Sequence, residues 1–490
     1  MNKSIYGYFQ FLAEAFPVQC ASDDFDTYPH VEAAAAYYHD LDDLDATRMT
    51  EHADQIRSYQ STFATLAEKS ESLRERAKLE TLVLSATSIL LDLESAQSWR
   101  RNPLTYLRIA FNGLDQAMSS PASRSERLSR VAARVAALPR LFRQAKENLR
   151  AVPRRFKYAA RIMAEDGTTH LLQIASNREI FPIIESALQS LKQFKLYLGS
   201  LPEISDEDVP GPNMDTVLSE RFGYPGTPDQ VFTLAQQQWR ASLSDLEAVS
   251  VTIDPSRTWL DLYTSPHPDD PCDDLLNIYT KEIANLRHFF LHTSLAGLYP
   301  DCPLVVTPTP IHQRSLRSMV SYSSGLGTAP MEPSSFYVSP HGISPEHTKR
   351  LQHRLRREVS FIAAHDTYPG HHLSACSRRL NPCPVASQVI LPLFSEGWAD
   401  LAETLLPEYG YVNKPLDLLV HHRRRVWRAA ACMIDVGINT GRLEERACIK
   451  LLLDIGFSRA GAALQVGLAR LNPGHQLCAL LGHHEILELR

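Results

Sequence analysis

The stretch His365-Asp366-Thr367-Tyr368-Pro369-Gly370-His371-His372, with Ser395-Glu396-Gly397-Trp398-Ala399-Asp400 some thirty positions on, decides the reading of this chain. Three imidazoles and several carboxylates stand here in an arrangement suited to a metal ion. A catalytic zinc keeps three protein ligands, commonly two His and one Glu, and leaves its fourth position to water. In the helical motif HExxH the two His lie one turn apart, and the Glu between them serves as general base. Here His371 and His372 follow His365 by six and seven positions. At about 100° and 1.5 Å per residue, a continuous helix puts neither of them beside His365. Pro369 disfavours helical backbone at Tyr368 and Gly370 permits a tight reversal, so the helix is expected to break there and swing one His back. His371 is the favoured second ligand and His372 the alternative.

Asp366 occupies the position of the base. It is one methylene shorter than Glu and reaches roughly 1.5 Å less far, which leaves slow, altered or absent hydrolysis open as outcomes. The third ligand is expected from the run Val385 to Leu406, read as an amphipathic helix kinked or started at Pro392, with Val389, Leu393, Leu401 and Leu405 on a buried stripe. Glu396, Asp400 and Glu403 share another face of it at i, i+4, i+7. Glu396 is chosen because Gly397 beside it lets a neighbouring element approach closely. Asp400 or Glu403 would then orient an imidazole from behind.

With these residues in view, HDTYPGHH and SEGWADLAE resemble the HExYPGHH and EGWA motifs of the domain-of-unknown-function family 885, which is similar to gluzincin-type zinc peptidases such as carboxypeptidase Taq and the oligopeptidases. The resemblance extends over weaker landmarks: Trp99 to Pro103 with Tyr106, Leu138-Pro139, Asn148-Leu149, Phe336 to Val338, Ile434-Asp435 and Pro473-Gly474. It implies a predominantly all-α, multi-helix gluzincin-like fold with a deep cleft, His365, His371 and Glu396 as ligands to one zinc per chain, and Asp366 as base. The chain departs from the family at Asn439, where His is usual, and at Ala479, where an aromatic is expected.

Helical spacing of apolar residues runs from about 45 to 118 and from 125 to 200, interrupted at Ser119-Ser120-Pro121. Leu201 to Met214 reads as a loop, and a second irregular segment lies around Thr264 to Asp274. Between residues 304 and 340, LVVTPTP, SMVSYSSG and SFYVSP predict a small β-sheet beside the active-site helix. That helix is expected to be capped by Ser344, to begin at Pro345 and to run to about Asp366. The chain is read as one helical unit, with a scaffold subregion at 1–200 and a catalytic subregion at 215–490. Tyr337 and Tyr368 are the candidate donors to a developing oxyanion. The Arg-rich stretches Lys349 to Arg357 and Arg423 to Arg428 read as solvated helix faces, or else as a guanidinium clamp for a substrate carboxylate.

With 44% hydrophobic residues the chain has ample material for a core, and a net charge of -6 points to neither nucleic acid nor a membrane surface. The eight Cys are scattered, and the N-terminal apolar run is broken by Gln10 and Glu14, so a cytoplasmic setting is expected. The function expected is zinc-dependent hydrolysis of an amide or peptide bond in a small peptide or amino-acid-derived substrate. Two alternatives stand beside it: a repurposed metalloenzyme acting on an amino-acid-derived biosynthetic intermediate, and a non-catalytic binding protein that retains the fold.

Overall fold

The computed structural model describes residues 2–22, 24–175, 181–209, 211–265, 274–293, 302–315, 317–325, 332–339 and 345–490. Helices dominate. Four of those in the first two hundred residues begin where the sequence supplies a side-chain acceptor for orphan N–H groups. Asp45 caps Ala46–Glu68, Ser72 caps Leu73–Leu90, Asn102 caps Pro103–Ser119 and Ser123 caps Arg124–Asn148. Arg154–Ile174 and Phe181–Ser200 complete the layer. Their apolar faces close a core that includes Phe111, Leu114, Phe142 and Phe194, the last two stacked at 5.2 Å. The Trp99 and Tyr106 landmarks are ties within it: the Tyr106 hydroxyl donates to the Trp99 carbonyl at 2.6 Å and accepts from Asn148 Nδ2 at 2.9 Å.

The stretch Leu201 to Met214 is largely irregular, although Glu203–Ile204 pairs in parallel with Val152–Pro153. Beyond it, Pro228–Ile253, started by a Thr227/Gln230 capping box, packs along Pro415–Asn439. A second core gathers residues from Leu246 to Ala469, and a third joins Met214 to Leu481. Of the irregular segment expected around Thr264 to Asp274, residues 266–273 lie outside the described residues.

The small sheet forms where the β-favouring runs predicted it. Strands β1 (Leu304–Pro308), β2 (Val320–Ser323) and β3 (Ser334–Val338) lie in the order β1-β3-β2, with β3 parallel to β1 and antiparallel to β2. Tyr322 pairs with Phe336 and Ser321 with Tyr337, so Tyr322 and Phe336 share one face and Tyr337 points to the other.

The helix expected to lead to the site does start at Pro345, whereas Ser344 lies outside the described residues. It is not continuous to Asp366. Pro345–Arg357 gives way at Glu358 (φ -97°, ψ 13°) to a second helix, Val359–Asp366. Glu358 is fully buried, its carboxylate held by Arg423 and Arg424. The run from Val385 begins with the short helix Pro384–Gln388, and the long helix starts at Pro392 and extends to Glu408.

Candidate metal centre

Val359–Asp366 delivers His365 and Asp366 on its last turn, and Thr367 then leaves helical backbone (φ -126°, ψ -92°). Across a cis Tyr368–Pro369 bond the chain doubles back, so that the Gly370 N–H donates to the Ala364 carbonyl at 2.9 Å and a new helix, His371–Arg379, begins. A Cβ at position 370 would lie 1.9 Å from the His365 carbonyl oxygen, a separation no side chain tolerates. The reversal sets the His365 and His371 rings 4.9 Å apart and nearly perpendicular. The second motif fastens the first: the Trp398 indole N–H donates to the Pro369 carbonyl at 2.9 Å.

Glu396 comes from the helix Pro392–Glu408. Gly397 lets that helix seat directly on Gly482 of Cys478–Leu489, since a Cβ on Gly397 would meet the Gly482 carbonyl carbon at 2.3 Å. The close approach expected at Gly397 is therefore a glycine-to-glycine crossing. Glu396 Oε2 stands 3.8 Å from His365 Nε2, and Oε1 stands 3.5 Å from His371 Nε2. Donor atoms bound to zinc at about 2.0–2.2 Å are themselves roughly 3.3 Å apart in a tetrahedral shell, so the three residues fit the ion by type, each imidazole standing close to one oxygen of Glu396. Asp366 belongs to the cluster as well, because its carboxylate and ring nitrogens of His365 and His371 lie within 4.8 Å of one another.

Behind the ligands lies a buried charge network. Glu403 Oε1 and Arg428 Nη2 both stand 3.0 Å from His365 Nδ1. A single nitrogen cannot donate to the first and accept from the second. With the proton on Nδ1 it donates to Glu403, and the Nε2 lone pair is left facing Glu396 and His371. Arg424 forks Glu403 through Nε and Nη2 at 2.5 Å each and reaches Glu358 at 2.7 Å, while Arg423 takes the other Glu358 oxygen at 2.7 Å. Asp400 gathers Arg425, Arg428 and His483. The stretch Arg423 to Arg428 is thus not a solvated face: Arg423 and Arg424 are buried, and their guanidinium forks clamp the protein's own carboxylates. Those partners sit on two other helices, which is why the run read alone resembled a solvated surface.

Burial and charge set the protonation states. Burial lowers His371 to about 4 against the pull of Glu396. It would raise Glu396, but His371, His365, His475 and Arg428 outweigh it and hold that carboxyl at about 2. Burial lifts Asp366 to about 6 although His365 opposes it. Around neutral pH the site therefore offers a neutral imidazole and an ionised carboxylate, the forms a metal ion needs, beside an Asp able to exchange a proton.

Other expected residues go elsewhere. His372 is fully buried, with Nε2 3.3 Å from the Cys302 carbonyl and Nδ1 3.3 Å from the Tyr322 hydroxyl, on the side of its helix that faces the sheet. Tyr368 packs edge-on to His372 at 5.0 Å, and burial raises its phenol to about 12 beside Arg287. Tyr337 lies on the far face of the sheet, under the Arg317 guanidinium at 4.6 Å. Neither tyrosine joins the cluster. Asn439 is a structural residue, donating to the Asp435 and Ala469 carbonyls at 2.8 and 3.0 Å.

Three neighbours were given no role in the sequence. The Tyr322 ring lies parallel to that of His371 at 6.3 Å, and Ser395 Oγ is 3.5 Å from His371 Nδ1. His475 is exposed yet near enough for its charge to act on Glu396 and His371. It sits in the Pro473-Gly474 turn that the sequence did mark. Asp435 holds this turn by accepting from the Gly474, Gln476 and Leu477 N–H groups at 3.0, 2.8 and 3.1 Å.

The model of the family described as "Bacterial protein of unknown function (DUF885)" matches residues 29–490. No curated protein matches the sequence. Among solved structures, a candidate lipoprotein of unknown function from Shewanella oneidensis is 19% identical with a TM-score of 0.65, over 92% of this chain and 88% of its own. A candidate lipoprotein from Colwellia psychrerythraea is 13% identical with a TM-score of 0.69, over 98% of this chain and 92% of its own. At these identities the likeness is one of fold. Both descriptions overturn the cytoplasmic setting expected from the scattered cysteines, which is withdrawn. Unbridged cysteines show only that a core of this size holds without cross-links, whatever the compartment. Among the described residues no helix is long and apolar enough to cross a membrane.

Proposed function

The chain belongs to the DUF885 family of bacterial proteins, and from that premise we propose that it is a zinc-dependent hydrolase cleaving an amide or peptide bond in a small peptide or amino-acid-derived substrate. The observation that carries this reading is the convergence of His365, His371 and Glu396 through the Pro369-Gly370 reversal, with Asp366 at its edge. Zinc, when bound, polarises a carbonyl and brings the pKa of water toward neutrality. Everything else falls to the chain. Asp366 takes the proton from the attacking water and returns it to the leaving amine, a role suited to a carboxyl raised toward 6. Glu403 fixes the His365 tautomer, and Arg424 fixes Glu403. His475, exposed and near enough for its charge to act on Glu396, is the side chain we assign to steady the developing oxyanion, in place of Tyr337 and Tyr368. In this reading residues 1–200 are scaffold, 215–490 carry the catalysis, and the likeness to gluzincin-type peptidases extends to mechanism.

A second reading has its own observation: Asp366 lies close enough to both imidazoles to serve as a ligand instead of a base. Zinc content and turnover on a panel of dipeptides and N-acylated amino acids separate the two. Asp366→Asn is expected to keep the wild-type zinc content and lose about a hundredfold or more in rate, the usual worth of general acid–base catalysis. Loss of one zinc from that variant would make Asp366 a ligand. His371→Ala should carry one zinc fewer than wild type, while His372→Ala keeps the full complement. The reverse result, or no hydrolysis of any member of the panel by the zinc-loaded wild type, would overturn the assignment.

A further inference from the structure

A second cluster lies away from the candidate centre, where the helix Pro103–Ser119, the helix Arg154–Ile174 and the turn Ile311–Gln313 meet. Asp115, His170 and His312 each contribute one side chain, and their potential ligand atoms all lie within 4.8 Å of one another. His312 Nε2 is 2.9 Å from Asp115 Oδ2, and His170 Nε2 is 3.2 Å from Oδ1. The two imidazoles face each other at 4.0 Å, tilted by 31°. His170 and His312 are 8% and 1% exposed.

The charges in this cluster do not balance by hydrogen bonding alone. Among the described residues no Lys or Arg pairs with Asp115, whose remaining partner is the neutral Gln313 amide at 3.2 Å. A carboxylate in such surroundings is stabilised by a bound cation. His170 Nε2, although 3.2 Å from Oδ1, is buried without a hydrogen-bond partner. A nitrogen left in that state costs free energy, and a cation shared with Asp115 would partner it and neutralise the carboxylate. Two ring nitrogens and one carboxylate, all within 4.8 Å of one another, match the donor set of a zinc-type ion.

We infer that Asp115, His170 and His312 form a second metal site, for a divalent transition ion bound by two imidazoles and one carboxylate. The ion ties two scaffold helices to the turn between β1 and β2, and so holds the strand whose Tyr322 lies parallel to His371. This inference is independent of the hydrolase reading.

The test is zinc content, by elemental analysis of protein loaded with zinc sulfate and desalted, in four full-length chains. Wild type should hold two zinc, His371→Ala one, Asp115→Asn one, and the double variant none. Asp115→Asn preserves shape and hydrogen bonding to neutral imidazoles, so a merely hydrogen-bonded cluster would survive it. Wild type and Asp115→Asn holding equal zinc would overturn the second site and leave the catalytic one standing. One zinc in wild type, lost in Asp115→Asn and kept in His371→Ala, would do the opposite. If Asp115→Asn does not fold, His371→Ala alone decides: folded protein without zinc, or without a zinc-dependent rise in melting temperature, refutes the inference.

Discussion

At position 370 the difference between hydrogen and methyl governs whether two histidines can meet. Gly370→Ala places a methyl group 1.9 Å from the His365 carbonyl oxygen and 2.4 Å from that of Ala364, both backbone atoms that cannot turn aside. The expected outcome is a loss of about 3 kcal/mol, at the upper end of what overpacking costs, together with one bound zinc. Gly199→Ala makes the control: it lies in the helix Phe181–Ser200 with nothing within 4 Å of the added carbon, and should stabilise by about 0.5–1 kcal/mol. Denaturant titration of both variants, with elemental analysis, checks the pair. Much of this was legible because His365, Pro369, Gly370 and His371 are neighbours in sequence, where dihedral preferences act directly. Tyr322 and Tyr337 show where legibility stopped. Both stand in β-favouring runs, but register decides which face a side chain takes, and adjacent positions take opposite faces. His475 was hidden for another reason, since its place beside Glu396 depends on Asp435 holding a turn from a different helix.

Among elements, Pro415–Asn439 bears the most on the candidate centre, although it supplies no ligand. Arg424 bridges Glu403, on the helix of Glu396, to Glu358, at the head of the helix carrying His365. All three side chains are buried. Arg424→Met should therefore cost about 3 kcal/mol, the low end for breaking a buried pair, because Glu358 keeps Arg423 and Glu403 keeps Arg428 while each loses a buried guanidinium. Breaking the exposed pair Arg490–Glu408 with Arg490→Met should cost less than about 1 kcal/mol. Equal effects in chemical denaturation would contradict the view that the arginine helix is an internal brace. Helix existence was plain from apolar spacing over 45–118 and 125–200, whereas the caps Asp45 and Ser123 emerged only with the structure. The interruption at Glu358 was not plain, because a Glu within a helical pattern gives no sign that arginines sixty-five positions away will bury it. The same blindness made those arginines look solvated.

Across the molecule, the pH response tests how the scaffold is built. Asp42 is fully buried; its Oδ1 accepts from the Val18 N–H at 3.1 Å and its Oδ2 has no partner. Burial raises its carboxyl to about 7, although Val18 and Arg134 work against the rise. The folded-state pKa thus exceeds the unfolded value near 4, so its contribution to stability is complete below about pH 4 and is lost as pH climbs through 7. Asp42→Asn abolishes that titration. The stability of the variant relative to wild type should increase by roughly 2 kcal/mol between pH 5 and 7.5, measured by denaturant unfolding at both values. A flat or falling difference would mean that Asp42 is ionised in the folded protein.

The seating of Gly397 on Gly482 also bears on the order in which a growing chain completes its parts. The two histidines, Glu396 and the arginine brace all come from residues 358–428, a segment short enough for its loops to close at modest entropic cost. The helix on which Glu396 rests is Cys478–Leu489. On the ribosome, Glu396 gains its permanent backing only after residue 489 has been added and that helix has docked. The cluster of Asp115, His170 and His312, by contrast, has all three of its side chains once residue 312 has emerged. Synthesis therefore brings the scaffold cluster together early and gives Glu396 its backing late, after the two ligand motifs themselves have been made.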